Sequence, residues 1–247
     1  MPKIAGITMI FLIFTLVFFF NPTAAFSFNI PEKFEYELTW TGVKAGTATL
    51  EIARTGNDVK IISTAQSAKW VSVFYTVDNR VETILAKKSS LIFLGEPVNY
   101  RLRIREGKHR RDKEVIFNSG NKVTYIDHIN KEKHSFDVPS LIFDPLSSFY
   151  YLRTLKLVVG EPVYVTMFDS KKVWNVEVQV LRKEKVTLPT GTVDTILIKP
   201  LMKSEGIFYK KGDIYIWLTD DEKRIPVKLQ TKVAIGSINA LLTGGRY

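Results

Sequence analysis

The sequence predicts a mainly β protein: a single strongly curved antiparallel sheet, or incomplete β-barrel, of about a dozen strands with a central helix packed on it. Three observations carry this. Apolar and polar residues alternate with period two through most of 34–242, and turn residues punctuate the runs at regular spacing. One stretch, Asp144-Pro145-Leu146-Ser147-Ser148-Phe149-Tyr150-Tyr151-Leu152-Arg153, departs from that period and reads as a helix. Neither an internal repeat nor a low-complexity linker divides the chain, so one continuous sheet is expected over 26–247 rather than two domains.

The first residues follow a different pattern. Residues 7–20 are apolar apart from Thr8 and Thr15, and Lys3 supplies a weak positive charge ahead of them. Asn21-Pro22 breaks the run, and Thr23-Ala24-Ala25 offers small residues before Phe26. Residues 1–25 are therefore expected to be a secretory signal peptide, which places the protein in the periplasm or cell envelope. An uncleaved inner-membrane anchor is the alternative, because the apolar run approaches the length that spans a bilayer. Cysteine is absent, which excludes disulfides, thiolate metal sites and a lipid-modified cysteine beside the leader. Lys plus Arg number 35 against 25 Asp plus Glu, a net charge of +10, and Lys3 is the only charged side chain of the leader. The exported part is thus basic, which favours anionic partners such as lipid head groups or acidic polysaccharide. Nucleic acid is not expected in that compartment. Membrane contact after signal cleavage is expected to be peripheral at most.

The strands follow in order. Phe34, Tyr36, Leu38 and Trp40 alternate with Glu35, Glu37 and Thr39, as a half-buried strand requires. Thr41-Gly42-Val43-Lys44 turns the chain into a second strand through Ala48, Leu50 and Ile52, and Gly56-Asn57-Asp58 turns it into a third over 59–64. Residues 65–75 read as a short helix or bent connection before a strand over 77–85. The strand over 100–106 sets Tyr100, Leu102 and Ile104 on one face and Arg101, Arg103 and Arg105 on the other. Glu106-Gly107-Lys108 turns it back through 109–117, Asn118-Ser119-Gly120-Asn121 leads to 122–127, and a strand through Phe136 and Val138 reaches the helix. There Asp144 suits the N-cap and Pro145 the first helical position, while Leu146, Phe149, Tyr150 and Arg153 share one face. Beyond it, 163–168 and 173–180 form a hairpin, with Trp174, Val176, Val178 and Val180 turned inward. Further strands are expected at 193–198, 213–218, 225–233 and 238–242, with Asp220-Asp221-Glu222-Lys223 as a polar tip and Thr243-Gly244-Gly245-Arg246 as a flexible tail.

Three blocks carry a resemblance: Trp40-Thr41-Gly42-Val43-Lys44-Ala45-Gly46, the 144–153 helix, and Trp217 through Asp220-Asp221 to Arg224-Ile225-Pro226-Val227. In that order they resemble the DUF3108 family of exported bacterial proteins over nearly the whole exported part. The resemblance implies a curved antiparallel sheet with a helix on its concave side, a shape similar to envelope lipoprotein carriers of the LolA/LolB type. It implies no catalytic residues, because the family has no established activity.

The residues themselves point to no reaction. His109, His128 and His134 lie in or near charged turns, and Ser147 and Ser148 fall in the first helical turn, where serine caps. No Gly-x-Ser-x-Gly elbow, His-x-His pair, H-E-x-x-H or calcium loop is present, so neither a metal nor a cofactor is expected. The row Arg101, Arg103, Arg105, at about 6.5–7 Å spacing along a strand, suits phosphates or carboxylates. It equally suits an exposed face kept charged against aggregation, with Asp112 and Glu114 opposite. Trp70, Phe74, Tyr75, Trp174 and Trp217 are expected in the core. The expectation is a non-enzymatic protein that binds a lipid or other anionic amphiphile between sheet and helix, through Arg101, Arg103, Arg105, Phe149, Tyr150 and Arg153. The alternatives are a scaffold with a filled core that meets an envelope protein partner, and an unrecognised hydrolase.

Overall fold

The computed structural model describes residues 30–87, 94–201, 213–232 and 236–247, so the expected leader lies outside the described residues. The strands are β1 (Glu32–Trp40), β2 (Val43–Thr55), β3 (Asp58–Ser67), β4 (Asp78–Ala86), β5 (Glu96–Glu106), β6 (His109–Asn118), β7 (Lys122–Asp127), β8 (Glu132–Asp137), β9 (Val163–Asp169), β10 (Lys172–Leu188), β11 (Gly191–Pro200), β12 (Ile214–Thr219), β13 (Pro226–Lys232) and β14 (Ser237–Arg246). Helix α1 (Lys69–Ser72) lies between β3 and β4, and α2 (Pro145–Arg153) between β8 and β9.

All fourteen strands join one antiparallel sheet in the order β8-β7-β6-β5-β4-β3-β2-β1-β14-β13-β12-β11-β10-β9. Strands adjacent in sequence therefore pair throughout except β8 and β9, which are the two edges, and β1 also pairs with β14. Right-handed twist accumulated over so many strands curls the sheet until its two edges face each other. Lys171 Nζ lies 2.6 Å from Glu132 Oε2, and the Phe136 and Phe168 rings are 5.4 Å apart. Side chains thus join β8 to β9, with no backbone ladder between them, and the barrel is incomplete as expected. Phe143 fills part of the seam: its N–H donates to Thr166 O and its carbonyl accepts from Phe168 N–H.

The alternation read in the sequence sets the core. Phe34, Ile52, Ile61, Tyr100, Val123, Ile196 and Leu218 face the concave side and are almost wholly buried. α2 contributes to three apolar groups at once: Tyr150 belongs to the group of Phe34, Leu152 to that of Met167 and Ile216, and Leu146 packs against the Tyr100 and Phe168 group.

Three expectations need correction. β10 does not stop near residue 180: a bulge between Val180 and Arg182 resets the alternation, and the strand continues through charged Arg182-Lys183-Glu184-Lys185 to buried Val186 and Leu188. Residues 243–246 are not a tail but the end of β14, paired Lys33↔Arg246 and Phe34↔Gly245. β8 ends at Asp137, so Val138 lies outside it, its N–H bonded to Asn121 O. Two glycines are required by close approach: a Cβ on Gly245 would meet Lys33 O at 2.0 Å, and one on Gly46 would meet Gln66 O at 2.2 Å.

Candidate functional site: a cavity beneath α2

Helix α2 is fixed at both ends. Asp144 Oδ1 accepts from Leu146 N–H at 2.8 Å and Ser147 N–H at 3.0 Å, and Oδ2 accepts from the Ser147 and Thr83 hydroxyls at 2.7 Å each. Ser147 Oγ in turn accepts from Asp144 N–H, completing a capping box. Burial pushes the Asp144 carboxyl up, opposed by these hydrogen bonds. The Thr83 bond ties the helix start to the middle of β4. At the other end Arg153 is wholly buried. Its Nη1 and Nη2 donate to Glu32 Oε1 and Oε2 at 2.7 and 3.0 Å, and its Nε and Nη2 to the carbonyls of Arg224 and Lys223 at 3.0 and 2.9 Å. The guanidinium lies 5.4 Å from the Phe34 ring and 5.1 Å from the Tyr150 ring. α2 is thereby anchored at the end of the sheet where β1 begins and β12 turns into β13.

A cavity of about 250 Å³ is left beside the helix. Leu146, Phe149 and Leu152 form one wall, with Val165, Met167, Val176, Val178, Ile214, Ile216, Leu229 and Ala240 facing them from β9–β14, and Tyr36, Ala48, Leu50, Val81 and Tyr100 from β1–β5. Thr49, Ser63 and Ser148 are the polar lining residues besides the two tyrosines. Leu146, Phe149, Ala48, Ser63, Pro200 and Ala240 are half-buried rather than buried, so the cavity communicates with solvent. Pro200 ends β11 and Ile214 begins β12, and the ladder carries Ile214 through Thr231 and Ile238 to Trp40. The cavity thus reaches the end of the sheet opposite the Arg153 anchor.

Two tyrosine hydroxyls differ there. Tyr36 Oη donates to Pro226 O at 2.8 Å, whereas the Tyr100 hydroxyl is buried without a hydrogen-bond partner. Burial holds Tyr100 well above the usual tyrosine range, so it stays a neutral donor. An unpaired buried hydroxyl carries a desolvation penalty that a polar ligand group would relieve.

The residues expected at the site separate. Phe149 lines the cavity; Tyr150 turns away into the Phe34 cluster, and Arg153 is taken up by Glu32. Arg101, Arg103 and Arg105 alternate with inward Leu102 and Ile104, so they project from the convex face, with the sheet between them and the cavity. Arg101 is held by Asp112 at 2.7 Å, Glu114 at 2.9 Å and His128 at 2.7 Å, while Arg103 and Arg105 are exposed. Tyr100 and Glu32 were not foreseen at the site. Trp174 and Trp217 are largely inside as expected, but Trp70, Phe74 and Tyr75 are exposed rather than core.

Ser148 Oγ donates to Pro145 O at 2.9 Å, and His109, His128 and His134 are absent from the lining. Among the described residues no cluster of three or more His, Asp or Glu could hold a metal ion, and no helix is long and apolar enough to cross a membrane.

The model of a family described as a protein of unknown function, DUF3108, matches residues 35–243. A solved β-barrel-like protein of the domain of unknown function DUF1849 from Brucella abortus is similar at TM-score 0.53 and 11% identity, over 88% of this chain and 97% of that one. That likeness concerns the fold alone. A protein with a YmcC-like fold from Bacteroides fragilis aligns at TM-score 0.38 and 8% identity, over 90% and 98% of the two chains. No curated protein matches.

Proposed function

The chain belongs to the DUF3108 family, and from that premise we propose that it is an exported, non-catalytic envelope protein that holds an apolar chain of an amphiphile between α2 and the sheet. The observation that carries this reading is the apolar cavity of about 250 Å³ along Leu146, Phe149 and Leu152. Apolar cavities of roughly 150 Å³ already stay dry and take up small hydrocarbons. This one is larger, elongated across the sheet and reached by solvent. The Tyr100 hydroxyl supplies one hydrogen bond to a polar group carried inside. Export rests on the 1–25 leader pattern.

Native mass spectrometry of the protein expressed from the full sequence and recovered in soluble form tests it. A co-purifying lipid is expected, and a fluorescent fatty acid should displace it. Ala48→Phe, which fills the cavity from a small wall residue, should weaken probe binding at least tenfold with the fold retained. If neither lipid nor probe binds the folded protein, the carrier reading fails and the scaffold reading stands.

A further inference from the structure

The connection between β3 and β4 carries the two most exposed large apolar side chains among the described residues. Phe74 is 84% exposed and Val73 77%, with Trp70, Tyr75, Val43 and Trp40 beside them. The loop is held in place rather than dangling. Trp70 Nε1 donates to Lys44 O at 3.0 Å, and Ala68 N–H to Ala45 O at 2.7 Å, fastening it to the β1–β2 turn. On its other side Gly107 N–H donates to Thr76 O at 2.8 Å, and the Tyr75 ring covers Gly107 so closely that a Cβ there would meet it at 2.7 Å. Val73 and Phe74 therefore stand largely exposed at the tip of a braced loop, outside the core.

The flanks are basic. Lys44 and Lys69 stand on one side and Lys108, His109 and Arg110 on the other, all exposed, with Arg103 and Arg105 further along β5. Of the nearby carboxylates, Glu37 pairs with Lys44 and Asp112 with Arg101, while Glu106 and Asp78 accept from the amides of Asn79 and Gln66, so the cations remain in excess. Trp and Tyr side chains at a rim of Lys and Arg, around a protruding Phe, match the chemistry of a bilayer interface, where aromatic rings sit at head-group level and cations meet anionic lipid. The cavity reaches this same end of the sheet, as the Ile214–Trp40 ladder establishes.

We propose that the β3–β4 loop, with the β1–β2 and β5–β6 turns, is a docking surface for an anionic lipid bilayer, Val73 and Phe74 entering the acyl boundary and Lys69, Lys108 and Arg110 meeting head groups. This goes beyond ligand binding, and either can hold without the other.

Flotation with unilamellar vesicles tests it, using the protein expressed from the full sequence and recovered in soluble form. Binding to phosphatidylcholine vesicles containing phosphatidylglycerol is expected, with less binding to pure phosphatidylcholine and less at high salt. A Val73→Ser/Phe74→Ser variant should bind at least tenfold more weakly, because two exposed apolar side chains no longer leave water. Neither residue packs in the core, so an unchanged melting temperature will confirm the fold. Lys69→Glu/Lys108→Glu should abolish the preference for anionic vesicles. A Phe74→Trp variant should blue-shift its emission on anionic vesicles, which reports insertion directly. No binding to anionic vesicles at low salt overturns the proposal, as does equal binding by the serine variant. A dimer in solution that Phe74→Ser converts to monomer, without vesicle affinity, overturns it in favour of a second copy of the chain. Retention of co-purified lipid by the serine variant leaves the carrier reading intact, so the two fail separately.

Discussion

Arg153 and Glu32, 121 positions apart, form a bidentate ion pair in the interior at 2.7 and 3.0 Å. The pair joins the last helical residue to the first residue of β1, and two carbonyls of the β12–β13 turn complete the guanidinium's surroundings. Breaking such a pair leaves one buried charge uncompensated, at about 3–5 kcal/mol. Glu32→Gln and Arg153→Met should each lower stability to urea by that order. The double variant Glu32→Gln/Arg153→Met should lose less than the two losses combined. Additive losses in a double-mutant cycle would mean that the pair is not a coupled unit.

The helix start makes a separate prediction. Asp144→Ala removes the acceptor for two backbone N–H groups and two hydroxyls, and leaves Thr83 buried with one acceptor fewer. A loss of about 2 kcal/mol is expected from the cap and the stranded hydroxyls. It should appear as a drop in urea midpoint with faster amide exchange over 146–149. An unchanged exchange pattern would show the cap to be dispensable.

Acid should loosen the convex face at β5–β6. Partial burial raises the Glu114 carboxyl, but hydrogen bonds from Asn99 and His128 and the Arg101 charge outweigh it, so the group ends below its usual range. A depressed carboxylate stabilises the fold fully above the unfolded value, near 4.3, and that share is lost as pH falls through the lower folded value. Urea midpoints measured from pH 7 down to pH 3 should therefore fall less steeply for Glu114→Gln than for the native chain. Equal slopes would assign the acid loss to other carboxylates such as Asp127 and Asp220, which are also held low by their partners.

The seam between β8 and β9 should be the least protected part of the sheet. β8 has a backbone partner only in β7, and its outer side meets β9 through Phe136–Phe168 and the β9–β10 turn through Glu132–Lys171. Hydrogen exchange in 132–137 is expected to be faster than in 81–85 of β4, which is paired on both sides. Phe168→Ala should cost about 3–5 kcal/mol and accelerate exchange in β8 further. Slow exchange in β8 that this variant leaves unchanged would contradict the account.

Much of the architecture was legible because period-two alternation reports which face is buried, and because Asp144-Pro145 marks a helix start on its own. The bulge at Leu181 hid the second half of β10: it resets the alternation just where Arg182 to Lys185 look like a loop. Paired glycines disguised the end of β14, since Gly245 is there to let Lys33 O approach and not to loosen the chain. The cavity was not legible, because its walls come from α2 and most of the strands, and unfilled space has no local signature. Arg153 could not be assigned to Glu32 from spacing alone across 121 positions. The exposure of Trp70, Phe74 and Tyr75 was hidden for a plainer reason: an aromatic residue reads the same whether it fills a core or leaves it.

The strand order makes the molecule a ring with two clasps of unequal strength. One is the β1–β14 ladder, in which Phe34 meets Gly245 through the backbone; the other is the β8–β9 meeting of one ion pair and one pair of rings. Parting β8 from β9 leaves every strand-to-strand ladder of the sheet whole, whereas a gap anywhere else would sever a continuous run of backbone hydrogen bonds.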